Sequence, residues 1–294
     1  MTNDQATQAA MTFTTLASPA EIAPRIGDAA LVIVDIRHDL AAPDTWGEHQ
    51  YRASHLPGAA FVHLDADLSR AKTGRNGRHP LPAPDVAAAV FGRLGIDDTK
   101  QVIVYDQTTG MFASRLWWML RWLGHDAAAV LEGGFARWQG EGLPVESGWR
   151  SPIPTIFKPR QVSPVIDAAR VLTNLASRDL LVIDARAPER YRGDVEPLDT
   201  AAGHIPGAVN RPYADNLGAD GRFKPVAVLR AEFERLLGGR APACTVHQCG
   251  SGVSACHNLL AMAHAGMTGG SLYPGSWSEW SADPSRPVHR GSTP

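Results

Sequence analysis

The stretch "LVIVDIR" at residues 31–37 returns as "LLVIDAR" at residues 180–186, and this repetition decides the fold. The turn "HLPGA" at 55–59 returns as "HIPGA" at 204–208 with the same offset of 149 positions. Two later landmarks, "GGFARW" at 133–138 and "GSWSEW" at 275–280, lie 142 positions apart. The chain is therefore predicted to be a tandem duplication of one domain, because this period is far longer than that of a solenoid.

Each copy alternates short apolar runs with helical patterns. The runs "QVIVY" and "CTVHQ" are typical of buried parallel strands, while "MFASRLWWMLRWLG" at 111–124 and "SACHNLLAMAHAG" at 254–266 predict helices that end at a glycine. This order predicts an α/β fold in which each copy forms a parallel sheet flanked by helices on both faces. We expect a first domain at 1–148, a proline-rich linker at 149–162 and a second domain at 163–294.

Composition excludes several classes of partner. The 294 residues carry a formal net charge of -2, with Lys and Arg dispersed, so we expect no nucleic-acid partner. No run is long enough to span a bilayer, and the first residues resemble no signal peptide, so the predicted location is the cytoplasm without membrane attachment. The three cysteines, Cys244, Cys249 and Cys256, suit a reducing compartment better than a disulfide framework.

The candidate reactive group is Cys249, which follows a strand and precedes two glycines and a helix in "TVHQCGSGVSACHN" at 245–258. Backbone N–H groups and the positive end of the helix dipole would favour its thiolate. The first copy has Gln107 at this position and Ala41 where the second has Arg190, so the second copy is predicted to carry the chemistry.

Features present in both copies are predicted to belong to the scaffold. They are the Asp-x-Arg pairs and the turn histidines, namely Asp35 with Arg37, Asp184 with Arg186, His55 and His204. Cys244 and Cys256 are interpreted as structural, since free cysteine is among the most buried residue types.

Two other kinds of site would use the same segment. A phosphatase loop needs an arginine six residues after the cysteine, and that position is Ala255. A zinc site formed by His247, Cys249, Cys256 and His257 has suitable residue types, but its spacing matches no common ligand pattern. Neither alternative is favoured, and no metal is expected.

The motifs "HIPGA", "DARAPERYRG" and "CGSGVSACHNLLA", with the tandem arrangement, resemble the two-domain rhodanese sulfurtransferases from about Leu31 onward. In that family a basic loop after the cysteine is typical of thiosulfate sulfurtransferases, whereas Cys-Gly-Ser-Gly-Val-Thr is typical of 3-mercaptopyruvate sulfurtransferases. Here residues 249–254 read Cys-Gly-Ser-Gly-Val-Ser, which is similar to the mercaptopyruvate branch with a hydroxyl retained at the helix start.

The resemblance implies a set of residue roles. Cys249 would accept sulfur as a persulfide, Ser251 would assist proton transfer, and Arg190 would bind the substrate carboxylate. His79 and Asp65 would face the cleft from the first domain. The loop amides would stabilise the sulfur; they belong to Gly250, Ser251, Gly252 and Val253. Some relatives have a second cleft arginine, but residues 193–200 contain none, which leaves Arg186 or Arg192 as its substitute, or one carboxylate contact missing.

The resemblance further implies transfer of sulfur from a small-molecule donor, 3-mercaptopyruvate, to cyanide or a thiol acceptor such as thioredoxin or a small thiol, with release of pyruvate and no cofactor. Two alternatives stay open. One is a thiosulfate sulfurtransferase, and the other is a persulfide carrier or interaction protein with little turnover.

Overall fold

The computed structural model describes residues 12–160, 162–163 and 165–294, and within them the chain forms two parallel sheets. The first sheet has the strand order β1-β5-β4-β2-β3. Its strands are β1 (Leu16–Ala17), β2 (Leu31–Asp35), β3 (Ala60–Phe61), β4 (Gln101–Tyr105) and β5 (Ala128–Leu131). The second sheet has the order β7-β6-β8-β9. Its strands are β6 (Leu181–Asp184), β7 (Val209–Asn210), β8 (Thr245–Gln248) and β9 (Ser271–Leu272).

Helices connect the strands of both sheets. Those of the first half are α1 (Pro19–Ile22), α2 (Trp46–Ala53), α3 (Pro84–Arg93), α4 (Ala113–Trp122) and α5 (Gly134–Gly140). Those of the second half are α6 (Ala168–Ser177), α7 (Pro188–Arg192), α8 (Val226–Leu237), α9 (Ser254–His264) and α10 (Ser276–Trp280). Short 3₁₀ turns cover Ala23–Arg25, Tyr213–Asn216 and Pro242–Cys244. The predicted α/β fold with two parallel sheets is confirmed.

The duplication extends to side-chain detail. Strands β2 and β6 occupy equivalent central positions and end at Asp35 and Asp184. Each aspartate pairs with the arginine two residues later, and the N···O distance is 2.7 Å in both copies. Because these ion pairs are buried and carry further hydrogen bonds, they fix the strand ends, as the sequence predicts.

The two halves share one apolar core. Helix α4 packs against α9, and a single cluster of buried residues runs from Leu116 and Leu120 in the first half to Val253, Leu259 and Leu260 in the second. The apolar sides of α4 and α9 are therefore buried against each other, so the carboxyl end of β8 faces the first half.

The segment between the halves is extended and contains no helix from 149 to 160. Phe157 anchors it by packing its ring 5.1 Å from that of Phe91, whereas Ile153 and Ile156 remain exposed. The exact domain boundaries stay a prediction. In the described part of the chain, no helix combines the length and the apolar character needed to cross a membrane.

Candidate active site

Cys249 lies directly after β8, at the carboxyl end of the second sheet, and only 2% of it is exposed. Two neighbours fix its backbone. Its N–H donates to Ser276 Oγ at 3.1 Å, and its carbonyl oxygen accepts from the Trp277 N–H at 3.0 Å. The start of α10 therefore holds the cysteine in place opposite the first domain.

The loop that follows brings its own backbone back to the sulfur. Gly252 N–H donates to Cys249 Sγ at 3.2 Å, and in the described residues this is the one loop amide with such a bond. Gly252 has φ +77°, and a Cβ there would collide with the Pro274 carbonyl oxygen. A glycine is required at this position by both conformation and space.

Ser251 is held by a residue of the other domain. Its Oγ lies 2.7 Å from His79 Nδ1, and His79 Nε2 lies 3.6 Å from Asp65 Oδ1. This Ser–His–Asp array crosses the domain interface, with Ser251 in the cysteine loop and both partners in the segment between β3 and α3. The structure thus brings three of the predicted site residues together.

The protonation state of this array follows from its burial. Burial lowers the pKa of His79 to about 3, although the Asp65 carboxylate opposes the shift. Burial alone would raise the pKa of Asp65, but the hydrogen bond from Lys72 and the nearby His79 hold it below its ordinary value. At neutral pH the array therefore contains a neutral imidazole and an ionised carboxylate.

Arg190 reaches the loop, but its charge is already paired. Its Nη2 lies 2.6 Å from Glu196 Oε1 and 3.0 Å from Asp199 Oδ2, and both carboxylates are buried. The segment 193–200 contains no arginine and supplies these two acids to Arg190. An incoming anion therefore competes with Asp199 and Glu196 for this guanidinium.

A second guanidinium comes from the first domain. Arg78 Nε lies 3.0 Å from Asp199 Oδ1, so Asp199 bridges Arg78 and Arg190. A Cβ at Gly250 would lie 2.6 Å from Arg78 Nη2 and 3.3 Å from Arg190 Nη1. The guanidinium groups of Arg78 and Arg190 therefore both lie next to Gly250 in the cysteine loop. The sequence did not predict the position of Arg78.

The two suggested substitutes for a second cleft arginine are engaged elsewhere. Arg186 is buried and bonds to Asp184 and to the carbonyl oxygen of Gly203, with a longer contact of 3.4 Å to Glu196 Oε2. Arg192 pairs with Asp194 at 2.7 Å. Arg186 thus lies behind Glu196 as a support for the cleft acids.

A second first-domain arginine lies beneath the loop. Arg115 of α4 is completely buried and donates to the carbonyl oxygens of Gly252 at 3.0 Å and of His79 at 3.3 Å. Among the described residues, no carboxylate lies within salt-bridge distance of it. The signal in the sequence was a basic residue in an otherwise apolar stretch of helix, which amphipathic patterning does not explain.

The remaining sulfur and imidazole groups of this region are buried. Cys256 is fully buried, its Sγ contacts the Gly252 carbonyl oxygen at 3.4 Å, and burial raises the pKa of its thiol to about 12. Burial lowers the pKa of His247 to about 3 and that of His257 to about 4. These residues form no metal-binding cluster with Cys249 in the part of the chain that the structure describes.

Comparison with known families agrees with this arrangement. The rhodanese-like domain family matches two regions of the chain, residues 18–141 and 167–283. One region lies in each half of the chain. The chain belongs to the rhodanese family. The two matches confirm the resemblance to two-domain rhodanese sulfurtransferases inferred from the sequence.

Three relatives cover nearly the whole rhodanese chain. A probable 3-mercaptopyruvate sulfurtransferase of Pseudomonas aeruginosa is 44% identical over 284 residues, covering 96% of this chain and 100% of the relative. A putative thiosulfate sulfurtransferase of Mycobacterium tuberculosis is 40% identical over 290 residues, covering 94% and 97%. The crystal structure of a 3-mercaptopyruvate sulfotransferase from Escherichia coli has a TM-score of 0.77 at 33% identity and covers 91% of this chain and 100% of that one.

Proposed function

We propose that this rhodanese-family protein is a 3-mercaptopyruvate sulfurtransferase that works through a persulfide on Cys249. The observation that supports the proposal is the 2.7 Å contact between Ser251 Oγ and His79 Nδ1, because a hydroxyl bonded to a neutral imidazole beside the cysteine loop can pass a proton. The name of the Pseudomonas aeruginosa relative supports the same substrate.

The first half-reaction transfers one sulfur atom. The Cys249 thiolate attacks the sulfur of 3-mercaptopyruvate, an S–S bond forms, and the C–S bond breaks with its electron pair leaving on the pyruvate enolate. The proton of the substrate thiol passes through Ser251 and His79 to the enolate carbon, which gives pyruvate. Cys249 is left as a persulfide anion.

The second half-reaction regenerates the enzyme. A thiolate acceptor, or cyanide, attacks the outer sulfur of the Cys249 persulfide and releases the thiolate. A small thiol or thioredoxin supplies a suitable acceptor, and no metal or organic cofactor takes part in either step. The sulfur is transferred beside the loop residues Gly250 to Val253. The Gly252 N–H donates a hydrogen bond to Cys249 Sγ.

The substrate carboxylate binds at the guanidinium pair. Arg190 and Arg78 both approach Gly250, and Asp199 sits between them as an internal carboxylate. The carboxylate of 3-mercaptopyruvate replaces Asp199 on this pair, because a planar guanidinium binds any planar carboxylate with similar geometry. The second carboxylate contact is thus supplied by the first domain.

A thiosulfate sulfurtransferase is the second candidate, favoured by the name of the Mycobacterium tuberculosis relative. The loop itself argues for the first candidate. Residues 250–253 have no charged side chain with which to hold a compact dianion, and both nearby cations are partly neutralised by acids.

Steady-state turnover with each donor tests the proposal. We expect kcat/KM for 3-mercaptopyruvate to exceed that for thiosulfate at least tenfold, and mass spectrometry to find one added sulfur on Cys249 after donor addition. Cys249→Ser should abolish both signals, whereas Cys244→Ser, at a partly exposed position, should retain them. A preference for thiosulfate would refute the branch assignment, and a persulfide without turnover would identify a carrier.

A further inference from the structure

Three side chains on the first-domain side of the cleft form a compact ligand set. His38, Asp65 and His79 each offer one ligand atom, and these atoms all lie within 4.8 Å of one another. His38 Nε2 is 3.8 Å from Asp65 Oδ2, and His79 Nε2 is 3.6 Å from Asp65 Oδ1. Two imidazoles and one carboxylate with an open side are a donor set that suits Zn²⁺ and related divalent transition metals.

His38 is the member with no part in the proton relay. It lies three residues after β2 and is 7% exposed, yet among residues 12–160, 162–163 and 165–294 its buried Nε2 has no hydrogen-bond partner. Phe112 packs against its ring at 5.1 Å and fixes its position. A buried polar atom without a partner costs free energy, so an orphan nitrogen directed at Asp65 points to a missing ligand.

The charges around the site set its affinity for a cation. Lys72 Nζ contacts Asp65 Oδ1 at 2.7 Å, but its side chain is 55% exposed and can leave for solvent. The neighbouring cations, Lys72, Arg78 and Arg115, oppose a further positive charge, so we expect micromolar affinity.

We propose that His38, Asp65 and His79 bind Zn²⁺ and that the bound ion switches off proton transfer at Ser251. A metal on Nε2 of the neutral His79 ring forces the ring proton onto Nδ1. Nδ1–H then donates to Ser251 Oγ, so His79 can no longer accept the proton of that hydroxyl. The site itself does not depend on the reaction, whereas the inhibitory effect rests on the proposed sulfur transfer.

Metal binding is tested first without any turnover. In the Cys249→Ser variant, which removes the competing thiolate, we expect calorimetry to find one equivalent of Zn²⁺. Co²⁺ should give visible d–d bands without the near-ultraviolet charge-transfer band of a thiolate ligand. Adding His38→Gln to this variant should weaken Zn²⁺ binding and the Co²⁺ bands at least tenfold. Adding His49→Gln instead, at an exposed position, should change neither. The proposed site is refuted if no Zn²⁺ binds. It is also refuted if Zn²⁺ binds equally tightly with and without His38→Gln.

The switch is tested in protein with Cys249 intact. Zn²⁺ should slow persulfide formation from 3-mercaptopyruvate, and a chelator should restore it. His38→Gln and His38→Phe should keep the basal rate and lose at least tenfold in zinc sensitivity, with circular dichroism confirming that both fold. Equal inhibition of wild type and both variants would place the inhibitory ion on Cys249 and refute the switch. If metal-free protein shows no turnover, the proposed function is refuted. The cobalt spectra then test by themselves whether the site binds a metal.

Discussion

Arg115 Nη1 donates a hydrogen bond of 3.0 Å to the Gly252 carbonyl oxygen, and Gly252 N–H in turn contacts Cys249 Sγ. A single residue of the loop therefore links the sulfur to a buried cation of the other domain. A buried cation without a carboxylate is costly unless another anion compensates for it. Because burial keeps the Cys256 thiol protonated, the anion available to Arg115 is the thiolate or persulfide of Cys249.

Arg115→Met should make the Cys249 thiolate harder to form. We expect the rate of Cys249 alkylation by iodoacetamide at pH 7 to fall about tenfold, since one compensating charge is lost. Arg121→Met, on the same helix but paired with Asp126, is the matched control and should leave the rate unchanged. An unaltered rate in Arg115→Met would show that this residue only supports the loop.

Asp199→Asn should strengthen substrate binding. The substitution removes the internal carboxylate that bridges Arg78 and Arg190, so the substrate no longer displaces a charge. We expect KM for 3-mercaptopyruvate to fall about threefold to tenfold with kcat little changed, whereas Arg78→Met should raise KM by a similar factor. The comparison is measured in initial-rate assays at fixed acceptor. If KM rises in Asp199→Asn, the carboxylate orients the arginines instead of competing with the substrate.

Ser251→Ala should slow the chemical step rather than binding. Removing the hydroxyl that contacts His79 Nδ1 breaks the relay, and we expect kcat with 3-mercaptopyruvate to fall about 10²-fold while KM changes little. Ser254→Ala at the first residue of α9 is the control. Single-turnover release of pyruvate measures the step directly. A normal rate in Ser251→Ala would assign the proton to solvent.

Acid should destabilise the fold through buried neutral histidines. His247 has a folded-state pKa of about 3, so it gains a proton mainly when the chain unfolds and its pKa returns to about 6.5. Below pH 6.5 the unfolded state therefore binds more protons than the folded state, and the free energy of unfolding falls as the pH falls. This one group should remove about 2 kcal/mol between pH 7 and pH 5.

The check is denaturant unfolding across that pH range. Between pH 7 and pH 5, the free energy of unfolding of His247→Gln should fall by about 2 kcal/mol less than that of the wild type. This holds whatever the stability of the variant is at pH 7. His49→Gln at an exposed position should follow the wild-type slope. If His247→Gln keeps the wild-type slope, this imidazole binds protons equally in the folded and unfolded states, which contradicts a pKa lowered by burial.

The sequence was sufficient to predict the parts of the site that depend on one copy at a time. The repeated strand and turn motifs predicted the two sheets, and the difference between Gln107 and Cys249 made Cys249 the candidate nucleophile. Those inferences use local periodicity and comparison within the chain. They needed no knowledge of how the copies pack.

The groups that the sequence analysis missed lie across the interface. Arg115 approaches the loop because α4 packs against α9, and Arg78 approaches it from the segment between β3 and α3; no local pattern encodes either contact. Asp199 acquires its role only through the two arginines that meet it, Arg78 from the first domain and Arg190 from α7, so the segment 193–200 alone does not reveal it. Long-range electrostatic pairing was the missing information.

The shared apolar core makes the two halves dependent on each other. Removing the first half would expose the face of α9 that packs against α4 and take away the residues that contact the cysteine loop. We therefore expect the two halves to unfold in one cooperative transition, so that the half without the cysteine contributes to stability as well as to the site.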